Sequence, residues 1–255
     1  MLRADDRPGH NLTCNTSCPN PVDGAWSPTL LGLWAETSAA GSEQACRIVA
    51  QLGFNETLHL KYGAPSTVFV EYLVEPRARR VQATLTWHNK TTTRLPEAMT
   101  LFVTPQQRPG YRWELDSLGE WLSPANVTVG GEQYQHAVWS GVRYTTSDPA
   151  SVRAPGLWIT TQDAAMACPV LNSAGKVAVN TTRVKNCFMV DDGARRQKNG
   201  ADSSLNDTMI DGMGINLHNN KMGISGFAQW YPFGVGRLYQ SQDESAKFRF
   251  VLEER

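Results

Sequence analysis

The chain lacks any apolar run near the roughly 18 residues that a helix needs to cross a bilayer. It also lacks a charge excess: 24 Lys and Arg balance 24 Asp and Glu over 255 residues. Proteins that hold nucleic acid or anionic membranes by electrostatics are usually basic, so neither partner is expected. Histidine is scarce and scattered, at His10, His59, His88, His136 and His218, with no H-x-H or H-E-x-x-H spacing. G-x-S-x-G and phosphate-cradling glycine loops are absent, and Gly212-Met213-Gly214 is only a fragment of one. The acid pairs Asp5-Asp6, Asp191-Asp192 and Asp243-Glu244 are chain neighbours in polar stretches. Glycosidase carboxylates must instead converge across a substrate from about 5–9 Å apart. No catalytic residue, metal ligand or cofactor site is therefore assigned. Cys14 and Cys18 have no second Cys or His pair at zinc-knuckle spacing, and no internal repeat is present.

What the chain does have is sequons. Asn-x-Ser/Thr occurs at Asn11, Asn15, Asn55, Asn89, Asn126, Asn180 and Asn206. Chance at this composition gives about two, so the seven are read as glycosylation candidates and place the protein in a secreted or endomembrane-lumen setting. Five cysteines, Cys14, Cys18, Cys46, Cys168 and Cys187, agree with an oxidising compartment, and the odd count leaves one thiol over or a partner elsewhere. The start, Met1-Leu-Arg-Ala-Asp-Asp-Arg-Pro, has no apolar h-region. A sequon-rich chain with that start is expected to be the C-terminal part of a longer protein.

The grammar of the chain is β. Residues 1–56 read as an irregular lead-in with one short helix over Ser42–Leu52, started by Ser42 and ended by Gly53. From 57 to 255 we expect a single antiparallel β-sandwich domain. Its strands are expected at Thr57–Tyr62, Thr67–Val74, Arg80–Trp87, Glu97–Val103, Tyr111–Leu115, Asn126–Val129, Gln133–Trp139, Gly141–Thr145, Leu157–Thr161 and Ala246–Leu252. Val81, Ala83, Leu85 and Trp87 alternate onto one face, as do Phe248, Phe250 and Leu252. Asn172–Ile215 breaks the pattern and reads as a long polar surface insertion, whose base a Cys168–Cys187 disulfide would close.

Two places concentrate polar chemistry. Trp87–Phe102 sets Asn89-Lys90-Thr91-Thr92-Thr93-Arg94 between two strand-like runs, as a hairpin with Arg94 and Glu97 flanking Pro96. An Arg94–Glu97 ion pair would staple this corner. The other place is Asn216, His218, Asn219 and Asn220, followed by Trp230 and Tyr231. Carboxamides bond sugar hydroxyls and indole faces stack on sugar C–H faces. The same residues also suit a buried amide network beneath an aromatic core, and both readings stand.

A longer pattern links these pieces. Trp87, Lys90, Thr93-Arg94-Leu95-Pro96-Glu97-Ala98, Trp113, Leu118-Gly119, Pro124, Val129-Gly130-Gly131, His136-Ala137-Val138, Asp163-Ala164, Asn216-Leu217, Asn219-Asn220, Trp230-Tyr231 and Phe248-Arg249-Phe250 follow one another over about 57–252. In that order they resemble the C-terminal region of uncharacterised proteins similar to glycoside hydrolase family 38, the α-mannosidase-like enzymes. The resemblance implies a large galactose-mutarotase-like sandwich that buttresses an N-terminal β/α catalytic domain. Zinc and the Asp nucleophile would belong to that missing domain, so this chain should not be catalytic alone. Its expected partners are the catalytic domain and a glycan ligand. The alternative is a free-standing extracellular carbohydrate-binding or adhesion module. An exposed apolar patch favours the first reading, and a fully polar surface the second.

Overall fold

A computed structural model describes residues 2–5, 23–37, 45–91, 97–126, 135–146, 155–172, 205–219 and 243–255. They are mostly β: two antiparallel sheets and one short helix, sandwich-like and not closed into a barrel. In chain order the strands are β1 (Leu2–Asp5), β2 (Asp23–Trp26), β3 (Thr29–Thr37), β4 (Cys46–Gly53), β5 (Thr67–Glu75), β6 (Arg80–Thr91), β7 (Glu97–Val103) and β8 (Tyr111–Ser117). They continue with β9 (Glu120–Leu122), β10 (His136–Ala137), β11 (Gly141–Thr146), β12 (Leu157–Thr161), β13 (Met166–Leu171), β14 (Ile210–Asn219) and β15 (Asp243–Glu254). The nine-stranded sheet runs β3-β4-β5-β6-β15-β12-β11-β8-β9. The other is ordered β10-β13-β14-β7, and β1 and β2 extend it past β7 to six.

The described residues fall into two compact units. The first holds those up to Met99 with 217–219 and 243–251, and the second holds 100–216 and 252–255. In the first, β5 and β6 pair from Thr67↔His88 to Glu75↔Arg80. This register puts Val68, Val70, Ala83, Leu85 and Trp87 on one buried face, as the alternation in β6 predicts. Trp87 is wholly buried, with its ring 4.8 Å from that of Phe248 on β15. At the far end Glu75 accepts from Arg80 Nε at 2.7 Å, Arg80 Nη2 at 2.9 Å and Gln82 Nε2 at 2.9 Å. The Arg80 guanidinium, then Gln82, hold the Glu75 carboxyl down to about 2. In the second unit Trp113, Leu115, Val142, Tyr144 and Ile159 form the buried face of β8, β11 and β12.

Several expectations are corrected. Ser42–Leu52 was expected to be helical, yet Cys46–Gly53 is β4, paired to both β3 and β5. Its Ile48, Val49 and Leu52 fit either period, and two waiting strand edges decide the outcome. The short helix is instead α1 (Glu56–Tyr62), where a strand was expected. Asn55 Oδ1 accepts from Leu58 N at 3.1 Å, and Gly63, at φ 65°, closes the end by donating to His59 O at 2.9 Å. The lead-in is not irregular throughout, because β3 and β4 join β5 in one sheet across the boundary expected at 57.

The Trp87–Phe102 corner is not a hairpin. The neighbours of β6 are β5 and β15, and those of β7 are β14 and β1, so the chain changes sheets there. Lys90 is buried, with Nζ 3.4 Å from both Gly63 O and Thr91 O. The expected insertion ends earlier than Ile215. Leu205 is buried, Asp207–Met209 form a 3-10 turn, and β14 begins at Ile210. A Cβ on Gly212 would lie 2.5 Å from Val103 O, so glycine there permits the close approach of β7. Of Gln133–Trp139 the described residues hold β10 at His136–Ala137, and residues 133–134, like residues 127–129 of the expected Asn126 strand, lie outside them.

Trp87→Ala should cost about 3–5 kcal/mol, read from urea unfolding, because it empties a site with no exposed surface. The Glu75 carboxyl gives a second expectation. Its folded value, about 2, lies below the ordinary 4.5. The stability it contributes is therefore complete above that ordinary value and lost as pH falls toward the folded one. Glu75→Gln should flatten the acid limb of the stability–pH curve, measured by urea midpoints across that window.

Candidate functional site

Four strands of the second unit bring a charged and aromatic cluster together. Register places Glu114 on β8 opposite Arg143 on β11, and Arg143 opposite Trp158 on β12. Asp116 on β8 stands opposite Trp121 on β9. Arg112, Glu114 and Asp116 alternate away from the core residues Trp113 and Leu115. Glu114 is nevertheless buried, its side chain 5 % exposed, because arginines cover it. Arg112 Nε and Nη2 donate to Oε1 at 2.9 and 2.8 Å, and Arg143 Nε and Nη2 donate to Oε2 at 2.7 and 2.6 Å. The Arg143 guanidinium also lies 4.4 Å from the centre of the Trp121 ring and 4.9 Å from that of Trp158. The two indoles meet edge to face at 5.0 Å, and Arg255 adds a second guanidinium 4.8 Å from Trp158.

The neighbouring carboxylate is equally engaged. Asp116 accepts from the Ser140 hydroxyl through Oδ2 and from Gly119 N–H through Oδ1 at 2.7 Å. The Ser140 hydroxyl, followed by the Gly119 amide, holds its pKa below the ordinary value against the opposing effect of burial. These bonds fix a two-residue turn whose central residues, Leu118 and Gly119, sit at φ 58° and 95°. Such a turn usually takes Asn-Gly. Here Leu118 takes the left-handed position and is 84 % exposed. Each oxygen of both carboxylates accepts from a positive or polar donor, so they brace the β8–β9–β11–β12 face. A sugar needs an open indole face, and these indoles carry guanidinium groups.

The residues expected to line a ligand surface are differently placed. Asn216 and His218 lie on β14 and are buried, at 5 % and 3 % exposure. Thr100 Oγ1 is 3.3 Å from Asn216 Oδ1, while Asn216 Nδ2 has no partner among the described residues. The side chain of Asn219, and Asn220, Trp230 and Tyr231, lie outside the described residues. So do Arg94 and the side chain of Glu97, which leaves the proposed corner ion pair outside them too. Cys168 is disulfide-bonded and Cys46 is free. The partner of Cys168 is therefore Cys14, Cys18 or Cys187, all outside the described residues. Asn11, Asn15 and Asn180 are outside them as well.

A second feature stands on the first unit. Edge strand β3 exposes Leu30, Leu31, Leu33 and Trp34 at 54–61 %. Past the bulge after Leu30, Leu33 and Ala35 continue the face that carries Ile48, Ala50 and Leu52 on β4, all half-buried. That face runs on into the buried Val68 and Val70 of β5. On the opposite face a shallow groove of about 280 Å³ is lined by Trp34, Ala35, Glu36, Arg47, Val49 and Phe69. Arg47 and Glu71 form a bidentate pair on that side, at 2.8 and 3.0 Å. Leu30, Leu31, Leu33 and Trp34 stand out in the sequence as an apolar run, but the sequence does not show its exposure. The Glu114 cluster had no sequence signal, since its members meet only through strand register.

Compared with known proteins, the chain matches no family model and no curated sequence.

Glu114→Gln keeps the shape and removes the charge that two guanidiniums share. With Arg112 44 % exposed, the expected loss is about 1–3 kcal/mol in chemical unfolding, with altered Trp emission as Arg143 shifts over Trp121 and Trp158.

Proposed function

We propose that this chain is the β-sandwich-like accessory region of a secretory-pathway, glycoside hydrolase family 38-like protein. It works by docking against a catalytic domain that it does not itself contain, and zinc and the hydrolytic residues belong to that domain. The observation that carries the reading is β3, an edge strand whose Leu30, Leu31, Leu33 and Trp34 are exposed beside a half-covered apolar face. Isolated surface leucines are ordinary, but a contiguous apolar strand on a sheet edge favours a protein partner. The ordered residues from Trp87 to Phe250 supply the family. A free-standing sugar-binding module is the weaker reading, because the paired indoles of Trp121 and Trp158 carry guanidiniums.

The test uses a family 38-like β/α catalytic domain from the same source, expressed separately and mixed with this chain. Leu33→Asp should weaken their association at least tenfold in a titration, about 1.4 kcal/mol, while far-UV circular dichroism stays unchanged. Equal affinity of the wild type and the variant, or no association of the wild type, overturns the docking role.

A further inference from the structure

The sequons and the solvent exposure of asparagine sort together. Among the described asparagines whose side chains are placed, the four in sequons, Asn55, Asn89, Asn126 and Asn206, are all exposed. The two outside sequons are not: Asn172 is half-buried and Asn216 is buried. Accidental Asn-x-Thr matches in a threonine-rich β protein would be spread over both faces of its strands. These avoid the buried faces.

Local geometry adds to this at two of the sites. Asn55 caps α1, with Oδ1 accepting from Leu58 N at 3.1 Å. Asn206 caps the 3-10 turn, with Oδ1 accepting from Thr208 N at 3.1 Å and from the Thr208 hydroxyl at 2.6 Å. In both, the carboxamide oxygen is held by the backbone, and Nδ2 donates to none of the described residues. At Asn206 the bound hydroxyl is the one that defines the sequon. Asn89, at φ 54°, leaves the pairing of β6 with β5 just past His88 and is exposed, while its neighbour Lys90 is buried. Asn126 follows a turn closed by its own N–H to Ser123 O at 2.9 Å.

We propose that Asn55, Asn89, Asn126 and Asn206 carry N-linked glycans. In the transfer, a bond forms between asparagine Nδ2 and C1 of an oligosaccharide carried on a lipid diphosphate. The bond from C1 to the diphosphate oxygen breaks, the lipid diphosphate leaves, and one amide proton is lost; nothing is oxidised or reduced. The placement bears on docking. Asn55 lies just past Gly53, and Asn89 just past His88, whose carbonyl accepts from Ser66 N. No sequon falls on β3, β4 or β5 themselves, and Asn55 and Asn89 gather at the end of the sheet where Thr29 and Leu30 of β3 pair with Gly53 and Leu52. The inference rests on the secretory-pathway part of the proposed function.

The experiment takes the protein from its native source, because forced secretion would modify any exposed sequon. The purified protein is treated with an amidase that releases N-glycans, in water enriched in oxygen-18, and its peptides are read by mass spectrometry. The expected result is oxygen-18-labelled aspartate at positions 55, 89, 126 and 206. Recovery of all four as unlabelled asparagine overturns the proposal and the secretory location with it. The docking role is judged separately, by the Leu33→Asp titration.

Discussion

A slip of one residue between β5 and β6 would turn Val81, Ala83, Leu85 and Trp87 to the wrong face and bring Thr84 and Thr86 into the core. The first unit depends on that register, and the chain secures it at both ends. At one end a bidentate Glu75–Arg80 pair, joined by Gln82, spans the last pair of the ladder. At the other, Trp87 is locked against Phe248 with no surface left exposed. The charged clasp alone would be weak, as exposed ion pairs are. The indole supplies the energy and the clasp makes competing registers costly.

The two units use charge and apolar surface differently. In the second unit, Glu114 and Asp116 lie on the face away from the core, yet each oxygen of both carboxylates accepts a hydrogen bond, and two arginines cover Glu114. Such a face is complete without a partner. In the first unit, the apolar alternation of β4 and β5 extends to β3, where burial stops short. The difference is one of finish: one sheet end is covered by the protein's own side chains, and the other is left apolar and open.

Much of the fold was legible because its signals are local. Glu97–Val103 and Leu157–Thr161 form strands residue for residue as alternation and flanking breakers indicate, and Phe248 and Phe250 take the buried face of β15. The helix was misplaced although its own signals were present: Asn55 and Glu56 open it and Gly63 ends it. Thr57 and Tyr62 at its ends, and the Gly63 and Pro65 that follow, read instead as a short strand and its breakers. The change of sheet after Thr91 was hidden for a different reason. Two strands joined by a short polar link look the same in sequence whether they pair or part, and only their other neighbours decide. The same limit hid the Glu114 cluster, whose members are 29 and 15 positions apart (114 to 143, 143 to 158) and become adjacent through two registers. Asn216 and His218 could be read as a surface or as a buried network, and strand alternation with Ile215 and Leu217 did not decide, because β14 is buried on both of its faces.

Asn55 holds two jobs in one carboxamide, the helix cap through its oxygen and a sequon through its nitrogen. The jobs can be inherited or lost separately. A change at Thr57 erases the sequon and leaves the cap, whereas Asn55→Gln erases both. Asn55→Asp keeps an oxygen in the capping place and gives up the nitrogen. Drift at this site is therefore asymmetric: the sequon can be lost through Asn55 or through Thr57, but the cap only through Asn55.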